Sequence, residues 1–220
     1  MTLQMWLLLS AILFVGTHFI MSHPLREPLV SRAGEGPFRA IYVVVSLITF
    51  AMMVYFYHAI GREPERLWDF TGDGAWVVAS LLMWFASILL VGSFIKNPAL
   101  PGSPGPSGGP AGVFRITRHP MMWSFAIWAM VHLGVVAMPK ALVLDGAILI
   151  LALAGAAGQD RKKARQFGEA WHEWTAQTAF VPFTGGVAYP GTVALAGGTI
   201  FFFLVTWIHP IPAGFWRWIG

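Results

Sequence analysis

Six long apolar stretches alternate with polar ones along this chain, at residues 3–21, 38–60, 75–95, 121–138, 141–158 and 191–209. Each approaches the roughly 20 helical residues needed to cross a hydrocarbon core about 30 Å thick. The pattern predicts six transmembrane helices, and so an all-α, polytopic integral membrane bundle. Only Pro139 and Lys140 separate the fourth and fifth stretches, which read as a helical hairpin. The fifth is among the shortest and carries Asp145, so the alternative for this pair is a re-entrant loop that turns back inside the bilayer. The first stretch is expected to stay in the membrane. A cleaved signal has a positive n-region and a small-residue cleavage site, whereas here the first charged side chain is Arg26 and the stretch ends near Met21, His23 and Pro24.

Composition agrees with this reading. Of 220 residues, 56% are hydrophobic and 11% charged, with 11 Trp and 17 Phe. A soluble domain carries roughly 25% charged residues. The chain has no Cys, which excludes disulfides, thiolate metal sites and thiol nucleophiles. The net charge of +4 points to lipid rather than nucleic acid once the basic residues are located. Three loops on one side of the predicted bundle hold Arg26, Arg32, Arg39, Lys96, Arg115, Arg118, Arg161, Lys162, Lys163 and Arg165, ten of the fourteen Lys and Arg. The other side holds Arg62, Arg66, Lys140 and Arg217. The positive-inside rule places the basic loops in the cytoplasm, both termini outside, and the protein in a bacterial inner membrane as a multi-pass chain.

The loops offer little recognisable chemistry. Residues 97–112 contain five Pro and five Gly and read as a flexible linker. No internal repeat and no phosphate-binding glycine motif is present. Residues 159–183 read as a cytoplasmic amphipathic segment, lying on the membrane with Phe167, Trp171 and Trp174 toward lipid. Residues 190–220 supply the last helix and a tail.

Histidine is the chemically informative residue type. Unpaired polar atoms in hydrocarbon cost several kcal/mol, so an ionisable side chain within a span is a candidate site. His18 in the first span and His132 in the fourth meet that description. They serve either as interhelical hydrogen-bonding groups or as two axial ligands to a haem iron. His58 and His209 fall at span ends, where a half-polar ring suits the interface. Arg115, Arg118 and His119 gather before Pro120, which opens the fourth span. They form either an anion-favouring helix start or a positive-inside anchor.

Taken together, Gly16-Thr17-His18, the run Gly34-Glu35 to Phe38-Arg39 and Tyr42, Ile116-Thr117-Arg118-His119-Pro120, Trp128-Ala129-Met130-Val131-His132 and Asp160-Arg161-Lys162 resemble the NnrU family. That family includes the plant and cyanobacterial zeta-carotene isomerases. More distantly, Arg-His-Pro and the later charged segment resemble the isoprenylcysteine carboxyl methyltransferase superfamily. The resemblance implies one NnrU-type membrane domain over residues 1–220, with an isoprenylcysteine-methyltransferase-like fold. It implies haem b, held by His18 and His132 as metal ligands. It also implies a link to nitrite and nitric oxide reduction, with denitrification enzymes as partners, and an apolar, lipid-soluble substrate for any isomerase-like chemistry. Two positions depart from the isomerases. Their Cys three residues before the second histidine is Ala129 here, so a Cys–His ligand exchange is absent, and their Gln after Arg-His-Pro is Met121.

A depth calculation bears on the ligand pair. At about 1.5 Å per residue, His18 lies about 5 Å from the inner end of its span, and His132 some 16 Å from the start of its own. The difference of roughly 10 Å makes His23 and His119 alternative ligands. Two other functions compete. One is an S-adenosylmethionine-dependent membrane methyltransferase, in which Arg118 and His119 hold the cofactor carboxylate. The other is a non-catalytic assembly factor for denitrification enzymes.

Overall fold

The computed structural model describes residues 1–63 and 65–219. Eight α-helices occupy them: α1 (Leu3–Ser22), α2 (Arg26–Ala33), α3 (Glu35–Ala59), α4 (Asp73–Gly92), α5 (Pro120–Val135), α6 (Pro139–Phe167), α7 (Glu169–Gln177) and α8 (Thr192–Trp207). The protein is a helical membrane protein. Each predicted span coincides with a helix, because a backbone in lipid satisfies its own polar groups most simply within one helix. Four of the six, α1, α3, α4 and α6, are long and apolar enough to cross a membrane. With 16 residues each, α5 and α8 are shorter.

The chain divides into two compact units. Unit 1 comprises residues 1–70 and 132–151, and unit 2 comprises residues 71–131 and 152–220.

In unit 1, α1 and α3 run antiparallel. Rising positions on α1 meet falling positions on α3: Trp6 stacks on Phe56, Phe14 packs at a tilt against Phe50, and His18 meets Tyr42 edge-on. The Thr2 side chain caps α1 by accepting a bond from the Met5 N–H, which suits an N-cap threonine. Gly34, at φ +84°, ends α2 and starts α3; a residue with a Cβ is strained there. The outward face of α3 carries Val43, Val44, Leu47 and Ile48, each more than half exposed. In lipid that is the expected solvent-facing side. At the far end of α3, β1 (Trp68–Asp69) pairs antiparallel with β2 (Val136–Ala137), and the Lys140 ammonium donates to the Gly61 carbonyl and stands over the Tyr57 ring.

In unit 2, α4 and α8 pack closely. A Cβ on Gly198 would fall 2.5 Å from the Ile88 Cα, so only glycine permits this approach. The Trp84 indole donates to the Thr199 hydroxyl at 2.9 Å. The core joins Leu89, Val113, Phe114, Ile116, Ile127, Trp171 and Trp174.

Three sequence expectations are corrected. The hairpin's second arm is not short: α6 runs 29 residues, which removes the length argument for a re-entrant pair. The charged stretch 159–167 continues α6 rather than lying on the membrane as a separate helix. Gly168, at φ +54°, then breaks the chain into α7, and this turn carries Trp171 (1% exposed) and Trp174 (5%) into the core instead of toward lipid. Finally, the loop 97–112 is packed at Ala99 and Gly105, while Ser107–Gly109 are exposed. Ala99 is buried, its carbonyl accepts a bond from the Gln159 amide, and Gly105 lies so close to the Phe167 ring that a Cβ would clash.

Candidate functional site

Two constellations gather the polar side chains singled out by sequence, one in each unit.

In unit 2 the Arg-His-Pro turn is clamped by the segment after α7. The Arg118 N–H donates to the Ala179 carbonyl, while the Thr117 hydroxyl and the Trp123 indole both donate to the Phe180 carbonyl. These bonds hold Arg118 and His119 against the C-terminal end of α6. The Arg118 guanidinium binds Asp160 through Nε at 2.9 Å and Nη2 at 2.8 Å, and Nη1 donates to the Thr178 carbonyl. The His119 side chain is wholly buried, and its Nε2 lies 2.9 Å from Asp160 Oδ1. Its Nδ1 lies 3.2 Å from Gln159 Oε1. Because the Gln159 amide nitrogen is spent on Ala99, its oxygen is the end facing the ring. Both ring nitrogens therefore have acceptors. Asp160 lies beyond the apolar part of α6. Burial by itself raises its carboxyl, but hydrogen bonds and charges from His119 and Arg118 outweigh that and hold it below the usual carboxylate range.

A small open cavity beside this network is lined by Asn97, Leu100, Met121 and Met122 along with Arg118, His119 and Gln159. The two residues expected to hold a cofactor carboxylate thus hold one of the chain's own. Asp160 as their partner was missed from sequence. The available signal was an isolated acid immediately before four basic residues in a stretch of five.

In unit 1 the site surrounds His18. Its Nδ1 is 2.7 Å from the Phe14 carbonyl one turn back. An N–H donated there leaves Nε2 with the lone pair, the arrangement that fixes a ligating imidazole. The ring contacts Phe14 and Tyr42 edge-on, and Tyr42 accepts a bond from Ser22. Beyond the end of α1, Glu35 pairs with both Arg26 at 2.8 Å and Arg39 at 3.1 Å, leaving one net positive charge at that rim. An apolar, aromatic wall, one free imidazole nitrogen and a cationic rim fit a flat amphipathic ligand with anionic edge groups, and haem is of that kind.

His132 belongs to the same unit but lies in the last turn of α5, eight residues before Lys140. Lys140 stands over Tyr57, and the fifteen residues from Tyr42 to Tyr57 span about 22 Å of helix. Tyr42, which meets His18, and Tyr57, which meets Lys140, thus mark two levels of α3. His23 follows α1 and stacks on Phe19, and His119 is taken up by Asp160. Among the described residues no three His, Asp or Glu side chains converge as a metal cluster.

Comparison with known proteins places these features in a family. No solved structure matches the chain. It is 27% identical over 186 residues to the 15-cis-zeta-carotene isomerase, chloroplastic, of Zea mays, covering 80% of this chain and 49% of that protein. It is 26% identical over 157 residues to the Arabidopsis thaliana protein of the same name, covering 68% and 42%. The chain thus spans about half the length of these curated relatives. The NnrU protein family model matches residues 6–216, and the chain belongs to that family.

Proposed function

We propose that this protein is a membrane isomerase acting on an apolar polyene dissolved in the bilayer, and that it binds haem b through His18. The family and its isomerase relatives support the reaction class. The exposed apolar face of α3 supports entry of the substrate from lipid. The observation that carries the cofactor is the His18 imidazole, pinned at Nδ1 on the Phe14 carbonyl with Nε2 left to coordinate. Haem bound there supplies a redox-sensitive Lewis acid. The chain's own residues would do the rest: Phe14 and Tyr42 pack against the His18 imidazole, and Arg26 and Arg39 would supply cations for carboxylate edge groups. With no Cys and with Ala129 in the corresponding position, control by Cys–His ligand exchange is not part of the proposal.

The test is the visible spectrum of the purified protein, with isomerisation of 15-cis-zeta-carotene followed by chromatography. Wild type is expected to show a Soret band that His18→Ala loses. His132→Ala is expected to weaken or shift it, since the resemblance implies His132 as a second ligand. A wild type without the band, or an unchanged band in His18→Ala, overturns the haem assignment. The methyltransferase reading is disfavoured by Asp160, which occupies the groups that would hold the cofactor carboxylate.

A further inference from the structure

The loop between α7 and α8 carries an apolar surface that neither constellation uses. No Asp, Glu, Lys, Arg or His occurs between Glu173 and His209, a stretch more than twice as long as the 16 residues of α8. At about 1.5 Å per residue α8 spans about 24 Å, which is some 6 Å short of a hydrocarbon core. The loop before it presents apolar side chains outward: Val187 is 90% exposed, Tyr189 57%, Val181 44% and Phe183 43%. The Tyr189 hydroxyl donates to the hydroxyl of Thr192, the first residue of α8, so the end of this loop is fixed to the helix it precedes.

Phe183 sets the level of the loop. Its ring stacks on Phe85 at 5.1 Å, and Phe85 lies seven residues, about 10 Å of helix, before the end of α4. Because α4 is long and apolar enough to cross a membrane, the loop reaches back alongside a membrane-spanning helix. Phe183 takes φ +67°, a conformation rare for a bulky side chain, and its N–H donates to the Ile116 carbonyl. Irregular backbone at such a level must have its polar groups paired. The Ala179 carbonyl accepts from the Arg118 N–H, and the Phe180 carbonyl from the Thr117 hydroxyl and the Trp123 indole. The Val181 carbonyl accepts from the N–H and hydroxyl of Thr184, and the Phe183 carbonyl from the Gly186 N–H. Pro182 has no N–H to satisfy. At the same end of unit 2, exposed Phe94 (63%) and Ile95 (41%) follow α4, and exposed cations come next, Lys96 after Ile95 and Arg115 before Ile116. Apolar side chains capped by cations match acyl chains capped by phosphates.

We propose that residues 181–189 form a membrane-inserted loop, whose partner is the acyl layer of the leaflet on the side of the basic loops. Val181, Phe183, Val187 and Tyr189 enter the lipid and complete the apolar band that the short α8 leaves unfilled, while Lys96 and Arg115 stand at the headgroups. The lipid contact that the sequence assigns to Phe167, Trp171 and Trp174 passes to the loop that follows them. Through Ala179 and Phe180 the inserted loop is joined to the Arg118–His119 turn, so that network is anchored to the bilayer surface.

The experiment is spin labelling of the full chain in vesicles, where the absence of native Cys leaves one label per variant. Val187→Cys is the reporter, Ser107→Cys in the exposed part of the loop 97–112 is the water reference, and Leu47→Cys on α3 is the lipid reference. Collisional relaxation by oxygen, which concentrates in lipid, is compared with relaxation by a water-soluble nickel complex. The Val187 label is expected to favour oxygen, as at Leu47, and Ser107 to favour nickel. Tyr189→Cys is expected to fall between Val187 and Ser107. A Val187 label that nickel reaches as readily as Ser107 overturns the proposal. A label shielded from both reagents, or broadened by a second label and sharpened by dilution with unlabelled protein, shows that protein covers the loop and overturns it equally. Val187 is almost fully exposed, so its replacement removes no internal packing.

Discussion

Asp160 is the residue on which most of the polar order in unit 2 depends. Its carboxylate faces an arginine and a fully buried histidine, so Asp160→Asn leaves two donors without their charge partner. Breaking such a pair costs about 3 kcal/mol, to be read as a lower unfolding midpoint in detergent. The pH dependence follows from the direction of the shift. Because the folded carboxyl is held below its ordinary value, its contribution is complete above about pH 4, where the unfolded group is already ionised. That contribution disappears as pH falls through the lower folded value. Wild type is therefore expected to lose stability below pH 4 more steeply than Asp160→Asn. Parallel acid titrations of the two would refute the assignment. His18 was legible as a candidate because an ionisable side chain is conspicuous in an apolar run. The partner of Arg118 was not legible, since it lies 42 residues away and only folding brings it near.

At the scale of elements, the break at Gly168 decides what the charged segment does. It converts a stretch that could lie on lipid into the end of α6 followed by α7, which is packed inward. Trp171→Ala is expected to cost about 3–5 kcal/mol as a buried large-to-small change, whereas a lipid-facing tryptophan would cost little. Thermal unfolding separates the two. The α4–α8 crossing is the second such element. Gly198→Ala forces the added carbon onto the backbone of Ile88, and overpacking of that kind costs about 1–3 kcal/mol. Helix positions were readable within a few residues, because an apolar run of this length has few alternatives to a helix in lipid. Helix ends and the packed loop at 97–112 were not. Proline and glycine content predicts the absence of regular structure but does not reveal that the loop is anchored by Gln159 and Phe167.

For the molecule as a whole, the missing cysteine becomes an experimental advantage. Single introduced cysteines report on topology without background labelling. If the basic loops face the cytoplasm, Arg165→Cys reacts with a membrane-impermeant maleimide only from that side, and Arg66→Cys only from the other. Labelling of both from one side would refute the arrangement. The same approach tests lipid exposure, since Leu47→Cys on α3 should meet a lipid-borne probe that Trp171→Cys does not.

The amino-acid sequence by itself determined that this is a helical membrane protein, where its helices lie and which family it resembles. Those properties follow from local hydrophobicity and short motifs, and they need no knowledge of neighbours. Tertiary structure alone decided which apolar faces meet protein and which meet lipid, that Trp171 and Trp174 are core, and that Asp160 closes on Arg118 and His119. The reason is physical. In a bilayer the interior of the protein and its surroundings are both apolar, so hydrophobic pattern cannot distinguish them, and only packing does.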